Sequence, residues 1–267
     1  MRRIADSFVR ARAEGRGHLT IYLTAGDPSL EVTAALVPAL AAAGVDLVEL
    51  GIPFSDPLAD GPVIQAASQR ALERGCTVRG VLACVAGIRE KTDLPIAFMT
   101  CYNPLLQMGM ASFAQEARRA GADGVLVTDL PPAEAGGWCD LLAANDLGAI
   151  FLVAPSSTPE RVALATRLST GFVYCVSRPG VTGTRDELPA ELAELVQRTR
   201  LETDRPIAVG FGISTAEHVR GVCRIADGAI VGSAMVKAIA GSPEAGAAVE
   251  RATAFARELA QGKTPMG

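Results

Sequence analysis

The sequence predicts an α/β protein folded as a single (β/α)8 barrel. Eight short apolar runs alternate with longer helical patterns along the chain, which is typical of parallel strands joined by helices. The length of 267 residues suits a barrel, which needs about 250 residues. No linker rich in Pro, Gly or Ser divides the chain, so we expect one domain over residues 1–267. A doubly wound open sheet is the alternative.

The predicted strands are the eight apolar runs. They are His18–Thr24, Val45–Gly51, Pro95–Thr100, Gly124–Asp129, Gly148–Ala154, Gly171–Ser177, Pro206–Gly210 and Gly228–Gly232. An amphipathic pattern predicts an extra N-terminal helix near Arg2–Ala13. Further helical material is expected after the second strand, near Gln65–Glu90.

The composition narrows the possible locations and partners. Apolar residues make up 49% of the chain, and the net charge of -4 comes from interspersed acids and bases. Without a basic stripe, nucleic acid binding is not expected. No apolar run reaches the roughly 18 residues of a membrane span, and the charged N terminus is unlike a signal peptide. We therefore expect a cytoplasmic protein. Six scattered cysteines suggest neither a disulfide framework nor a zinc site.

Glu49 is unusual because it interrupts the second apolar run. A period of two places Val45, Leu47 and Glu49 on one face of that strand, so the carboxyl group points the same way as two core side chains. Burial is expected to raise the pKa of such an acid. Asp60 follows eleven residues later on a loop. The pair is a candidate for acid–base chemistry, although a buried structural glutamate is the alternative.

Polar residues also collect at the ends of the other predicted strands. In a barrel, these strand ends and the loops that follow form the active site. The residues concerned are Tyr22, Thr24, Thr100, Tyr102, Asp129, Tyr174, Ser177 and Arg178. Each one alone could be a loop cap, and Asp129 in particular precedes a helix start.

Two glycine-rich turns predict a phosphate site. Gly210-Phe211-Gly212-Ile213-Ser214 follows the seventh strand, and Gly232-Ser233 follows the eighth. Glycine lets backbone N–H groups approach an anion, and barrels often bind phosphate after these two strands. Ordinary tight turns are the alternative. The segment from Arg178 to Arg185 has the small residues of a mobile lid, or of a static surface loop.

The missing residue types narrow the chemistry further. None of the three lysines, Lys91, Lys237 and Lys263, ends a strand, which disfavours a Schiff-base aldolase. Neither histidine, His18 or His218, suggests a metal ligand or a triad base. No dinucleotide-binding fingerprint follows the first strand. The reaction type that these exclusions leave is acid–base catalysis by carboxyl groups on a phosphorylated substrate.

The motifs resemble those of the tryptophan synthase alpha subunit family over nearly the whole chain. The pattern is ELGIPFSDPLADG at 49–61, accompanied in order by TAGDP at 24–28, YNP at 102–104, DLP at 129–131, GVTG at 180–183 and GFGI at 210–213. Tyr22 stands where the family often has Phe, and Thr128 where it often has Pro.

The resemblance implies retro-aldol cleavage of indole-3-glycerol phosphate to indole and glyceraldehyde 3-phosphate. Glu49 would be the general acid and base, and Asp60 would bind the indole N–H and stabilise the developing cation. The resemblance also implies Tyr174 beside Glu49, Phe211 against the indole, and Thr182 bridging the lid to Asp60. Gly183, Gly212 and Ser233 would bind the phosphate, in turns that include Gly210 and Gly232.

The resemblance also implies a partner, a beta subunit that contains pyridoxal phosphate and receives indole in an α2β2 heterotetramer. No cofactor or metal is expected in this chain. Three alternatives are a stand-alone lyase that releases indole, another phosphate-binding barrel enzyme such as a sugar-phosphate isomerase, and a catalytically silent barrel that serves as a partner.

Overall fold

The protein is a closed barrel of eight parallel strands in sequential order, as predicted, each strand paired with its neighbours and β8 with β1. We describe it from a computed structural model, which covers residues 2–176, 190–210, 212–240 and 244–263. The strands are β1 His18–Thr24, β2 Leu47–Gly51, β3 Ile96–Thr100, β4 Gly124–Val127, β5 Gly148–Val153, β6 Val173–Val176, β7 Ile207–Gly210 and β8 Gly228–Val231.

The helices surround the barrel and seal one end of it. They are α1 Arg2–Ala13, α2 Leu30–Ala42, α3 Pro62–Glu73, α4 Val78–Arg89, α5 Tyr102–Met108, α6 Met110–Ala120, α7 Gly136–Ala144, α8 Pro159–Leu168, α9 Ala190–Arg200, α10 Ala216–Cys223, α11 Ser233–Ala240 and α12 Ala245–Ala260, with a short 3₁₀ turn at Pro132–Glu134. None of the helices in the described ranges is long and apolar enough to span a membrane.

All eight predicted strands and the N-terminal helix are confirmed, with small differences at the ends. The second strand begins at Leu47 rather than Val45, and the fourth ends at Val127 rather than Asp129. Val45 therefore precedes the strand, and it packs in the outer core instead of sharing the face of Glu49. The helical material after β2 forms two helices, α3 and α4.

The barrel interior is a layer of apolar side chains separate from the larger core between strands and helices. It comprises Leu47, Ala97, Leu126, Ile150, Phe172, Ala208 and Ile230. Ile4 and Phe8 of α1 join this layer, so α1 closes the N-terminal end of the barrel. At the opposite end, α1 does not cover the carboxyl ends of the strands, and a binding site can form there.

Candidate active site

A cavity of about 560 Å³ opens at the carboxyl ends of the strands. Side chains on one face of a strand recur every second residue, so the residues two positions after those of the interior layer also point into the barrel. These residues form the floor of the cavity. Met99 on β3, Leu152 on β5 and Ile230 on β8 give apolar walls, while Glu49 on β2 and Tyr174 on β6 give polar groups. A largely apolar cleft with a few polar groups suits an aromatic substrate.

Glu49 lies on this floor in an unusual environment for a carboxyl group. Only 1% of the residue is exposed, and neither carboxyl oxygen has a hydrogen-bond partner among the described residues. Burial, reinforced by the charge of Asp60, raises the pKa of Glu49 to about 8. The group therefore holds a proton at neutral pH, as a general acid must.

Asp60 lines the same cavity from the loop between β2 and α3. Burial raises the pKa of Asp60 to about 6, so it is mainly ionised at neutral pH, whereas Glu49 is mainly protonated. Two carboxyl groups with separated pKa values can perform different tasks in one reaction.

Helix α3 fixes the position of the Asp60 loop. The Gln65 side chain donates to the Asp60 carbonyl at 2.8 Å. Farther along α3, Arg70 binds Asp27 through two hydrogen bonds, from Nε to Oδ1 at 2.9 Å and from Nη2 to Oδ2 at 2.6 Å. Asp27 is buried on the loop after β1. A bidentate pair of this kind holds α3 against the barrel rim.

Two tyrosines flank the acids, and each lies over a glycine of the next strand. A Cβ atom at Gly51 would lie 2.2 Å from the Tyr22 hydroxyl, and one at Gly210 would lie 2.2 Å from the Tyr174 hydroxyl. The absence of a side chain at these glycines makes room for the rings. Burial raises the pKa of both phenols, so they stay protonated and can donate hydrogen bonds.

The two predicted phosphate turns meet at the cavity. Gly212, Gly232 and Ser233 all line it. Gly212 has a φ of +76°, a left-handed conformation that favours glycine. Ser233 begins α11, whose first N–H groups have no partner within the helix.

The structure does not bring every candidate residue to the cavity. Thr100 points away from it and donates to the Cys101 carbonyl at 3.0 Å, although it lines an adjoining small void together with Asp60. Asp129 accepts a hydrogen bond of 2.7 Å from the Tyr102 N–H, and Tyr102 donates to Met110 Sδ at 3.4 Å. Ser177, Arg178, Thr182, Gly183 and Phe211 lie outside the described residues.

Lys237, Met99 and Thr128 also line the cavity, although no sequence argument selected them. The alternation that selected Glu49 would have found Met99, because it stands two residues after Ala97 of the interior layer. Lys237 carried no such signal, because it lies within a helix. Within the described ranges, no group of three or more His, Cys, Asp or Glu side chains could hold a metal ion.

Comparison with known proteins identifies the family. Residues 8–264 match the sequence model of the tryptophan synthase alpha chain. The chain belongs to this family. The tryptophan synthase alpha chain of Roseiflexus castenholzii is 49% identical over 97% of this chain and 99% of the relative. That of Solibacter usitatus is 45% identical over 98% of each.

Solved structures give the same result for the fold. Tryptophan synthase subunit alpha from Legionella pneumophila superposes with a TM-score of 0.90 at 36% identity, covering 97% of both chains. A chain of tryptophan synthase from M. tuberculosis gives 0.89 at 37% identity over 99% of both. As a tryptophan synthase alpha chain, the protein is a lyase of tryptophan biosynthesis that cleaves indole-3-glycerol phosphate, and the family works with a beta subunit.

Proposed function

We propose that Glu49 and Asp60 carry out this cleavage within the 560 Å³ cavity. The observation that supports the assignment most strongly is the buried Glu49 carboxyl group, which has no hydrogen-bond partner among the described residues. An unpartnered buried polar group is costly for stability. Such a cost is expected where the group must be free to bind and protonate a substrate.

Each step of the cleavage can be assigned to one of the two acids. Glu49 donates its proton to indole C3, which converts the ring to an indoleninium. The bond between C3 and the glycerol side chain then breaks, and its electron pair flows into the ring and neutralises the iminium nitrogen. Glu49, now a carboxylate, takes the proton of the glycerol hydroxyl as that carbon becomes an aldehyde. Asp60 accepts a hydrogen bond from the indole N–H and stabilises the intermediate cation.

The remaining candidate residues bind the substrate. Met99, Leu152 and Ile230 pack against the indole, together with Phe211. The phosphate binds Gly212 and Ser233, joined by Gly183, with Gly210 and Gly232 shaping the turns. Tyr22 and Tyr174 flank the acids, and Thr182 contacts Asp60 from the lid. Thr100 lines a small void with Asp60, and Asp129 holds the start of α5 by accepting from the Tyr102 N–H, so these three residues support the rim rather than contact the indole.

The partner assignments complete the proposal. We infer that residues 1–267 form one cytoplasmic domain, which binds a beta subunit in an α2β2 heterotetramer and passes indole to it. The alpha chain needs no cofactor of its own, and pyridoxal phosphate resides in the beta subunit.

The test mixes the purified chain with indole-3-glycerol phosphate and follows indole release, with and without a tryptophan synthase beta subunit. We expect slow release by the chain alone and faster turnover with the partner, because a partner that orders the Asp60 loop completes the site. Equal turnover in both mixtures would indicate a stand-alone lyase. No indole in either mixture would contradict the proposal.

A further inference from the structure

Lys237 is a cation on the wall of the cavity. It is the one basic side chain among the described residues that line this space. Lys237 is solvent-exposed, and none of the ion pairs between described residues involves it. Its charge is therefore not committed to a carboxylate of the described part of the chain.

The position of Lys237 on α11 directs its side chain toward the phosphate turns. Lys237 follows Ser233 by four residues, one helical turn, so the two residues share a face of the helix. Both of them, with Ala234, line the cavity. Long side chains in a helix lean toward the helix N terminus. A lysine at this position of α11 can therefore reach toward Ser233 and Gly232, where the helix begins.

Lys237 and the two acids stand on different elements of the cavity wall. Glu49 is on β2 and Asp60 is on the loop that follows it, whereas Lys237 is on α11, which begins at Ser233. The cation is therefore on the element that begins at one of the predicted phosphate turns.

We propose that Lys237 is the counter-charge for the substrate phosphate and increases the affinity of this cavity for that group. The inference rests on the proposed function, which places the phosphate at Gly212 and Ser233. Backbone N–H groups hydrogen-bond the phosphate oxygens but bring no net charge. Lys237 supplies the net positive charge, as lysine does in many phosphate sites.

The test compares Lys237→Met, which keeps most of the apolar stem, with Lys237→Arg, which keeps the charge. Calorimetry with glycerol 3-phosphate should show affinity weakened roughly five- to tenfold in the methionine variant, a modest factor because the site is exposed. The arginine variant should retain most of the affinity. KM for indole-3-glycerol phosphate should rise by a similar factor, with kcat nearly unchanged. Lys91→Met, at an exposed lysine after α4, is the control and should bind like the wild type.

Salt provides a second measurement. Glycerol 3-phosphate affinity of the wild type should fall with ionic strength more steeply than that of Lys237→Met. Equal affinity and equal salt dependence in the two proteins would overturn the inference while leaving cleavage by the wild type intact. Conversely, a wild type that binds glycerol 3-phosphate through Lys237 but releases no indole would contradict the proposed function alone.

Discussion

Glu49 occupies a position that stability alone would assign to an apolar residue. Its pKa is raised by burial and the Asp60 charge from 4.5 to about 8, so the folded state holds the proton more tightly than the unfolded chain. Between these two pH values the unfolded chain ionises Glu49 while the folded protein keeps it protonated. The contribution of protonated Glu49 to the free energy of unfolding is therefore fully present below pH 4.5 and is lost as pH rises through about 8. An acid that destabilises the fold in the neutral range is better explained by catalysis than by structure.

Replacing each acid separately tests their different roles. Glu49→Gln keeps the size of the side chain but cannot transfer a proton, so kcat should fall by at least roughly 10²- to 10⁴-fold. Asp60→Asn can still accept from the indole N–H but lacks the negative charge, so kcat should fall while KM changes modestly. We would measure single-turnover indole release, with circular dichroism as the control for folding. A folded Glu49→Gln protein that cleaves at near wild-type rate would exclude the mechanism.

At the scale of single elements, the proposed phosphate site depends on the backbone conformation of the two glycine turns. A Cβ atom at Gly212 would meet no atom of the described residues within 4 Å, its chain neighbours aside, so crowding by the described part of the chain does not require glycine there. The requirement comes from the φ of +76°, since L-residues pay roughly 1–2 kcal/mol in this conformation. The backbone N–H direction in this turn thus depends on glycine.

Gly212→Val should therefore disturb the turn and raise KM for indole-3-glycerol phosphate about tenfold or more, with a smaller effect on kcat. The matched control is Gly15→Val. Gly15 also has a left-handed φ, +64°, with no atom of the described residues within 4 Å of its Cβ position, but it lies after α1, away from the cavity. Urea unfolding should show similar destabilisation in both variants, whereas KM should rise only for Gly212→Val. Equal KM values in the two variants would place the phosphate elsewhere.

Strand periodicity explains how far the sequence could predict the site. The alternation within β2 correctly places Glu49 inside the barrel beside Leu47. The same rule applied to β3 predicts that Met99, not Thr100, points into the cavity, as the structure shows. Thr100 is selected instead when the sequence is searched for polar residues. Lys237 could not be found in this way, since its distance from the phosphate turns depends on how α11 packs against the barrel. The N-terminal helix was predictable from its hydrophobic periodicity, and the strand order from the regular alternation of strands with helices.

At the scale of the whole molecule, the proposed active site and the packed closure by α1 lie at opposite ends of the barrel. One end carries the cavity, and α1 closes the other. The closure includes a buried histidine, His18, whose ring stacks on Phe8 with centroids 3.7 Å apart and whose Nε2 lies 3.0 Å from Ser7 Oγ. This contact joins α1 to the first residue of β1.

The protonation of His18 should control the acid stability of this closure. Burial lowers the pKa of His18 to about 4, against the opposing effect of Asp46. The unfolded chain therefore binds a proton at higher pH than the folded protein does. The contribution of neutral His18 is fully present above pH 6.5 and is lost as pH falls toward 4, by about 3 kcal/mol in total.

His18→Asn should remove this part of the pH dependence. The variant should be less stable than the wild type at pH 7.5, because it loses the stacking on Phe8. The gap should then narrow as pH falls from 6.5 to 4, since asparagine does not titrate. Urea unfolding at several pH values measures both effects. A gap for His18→Asn that stays constant with pH would show that protonation of His18 does not limit the acid stability of the barrel.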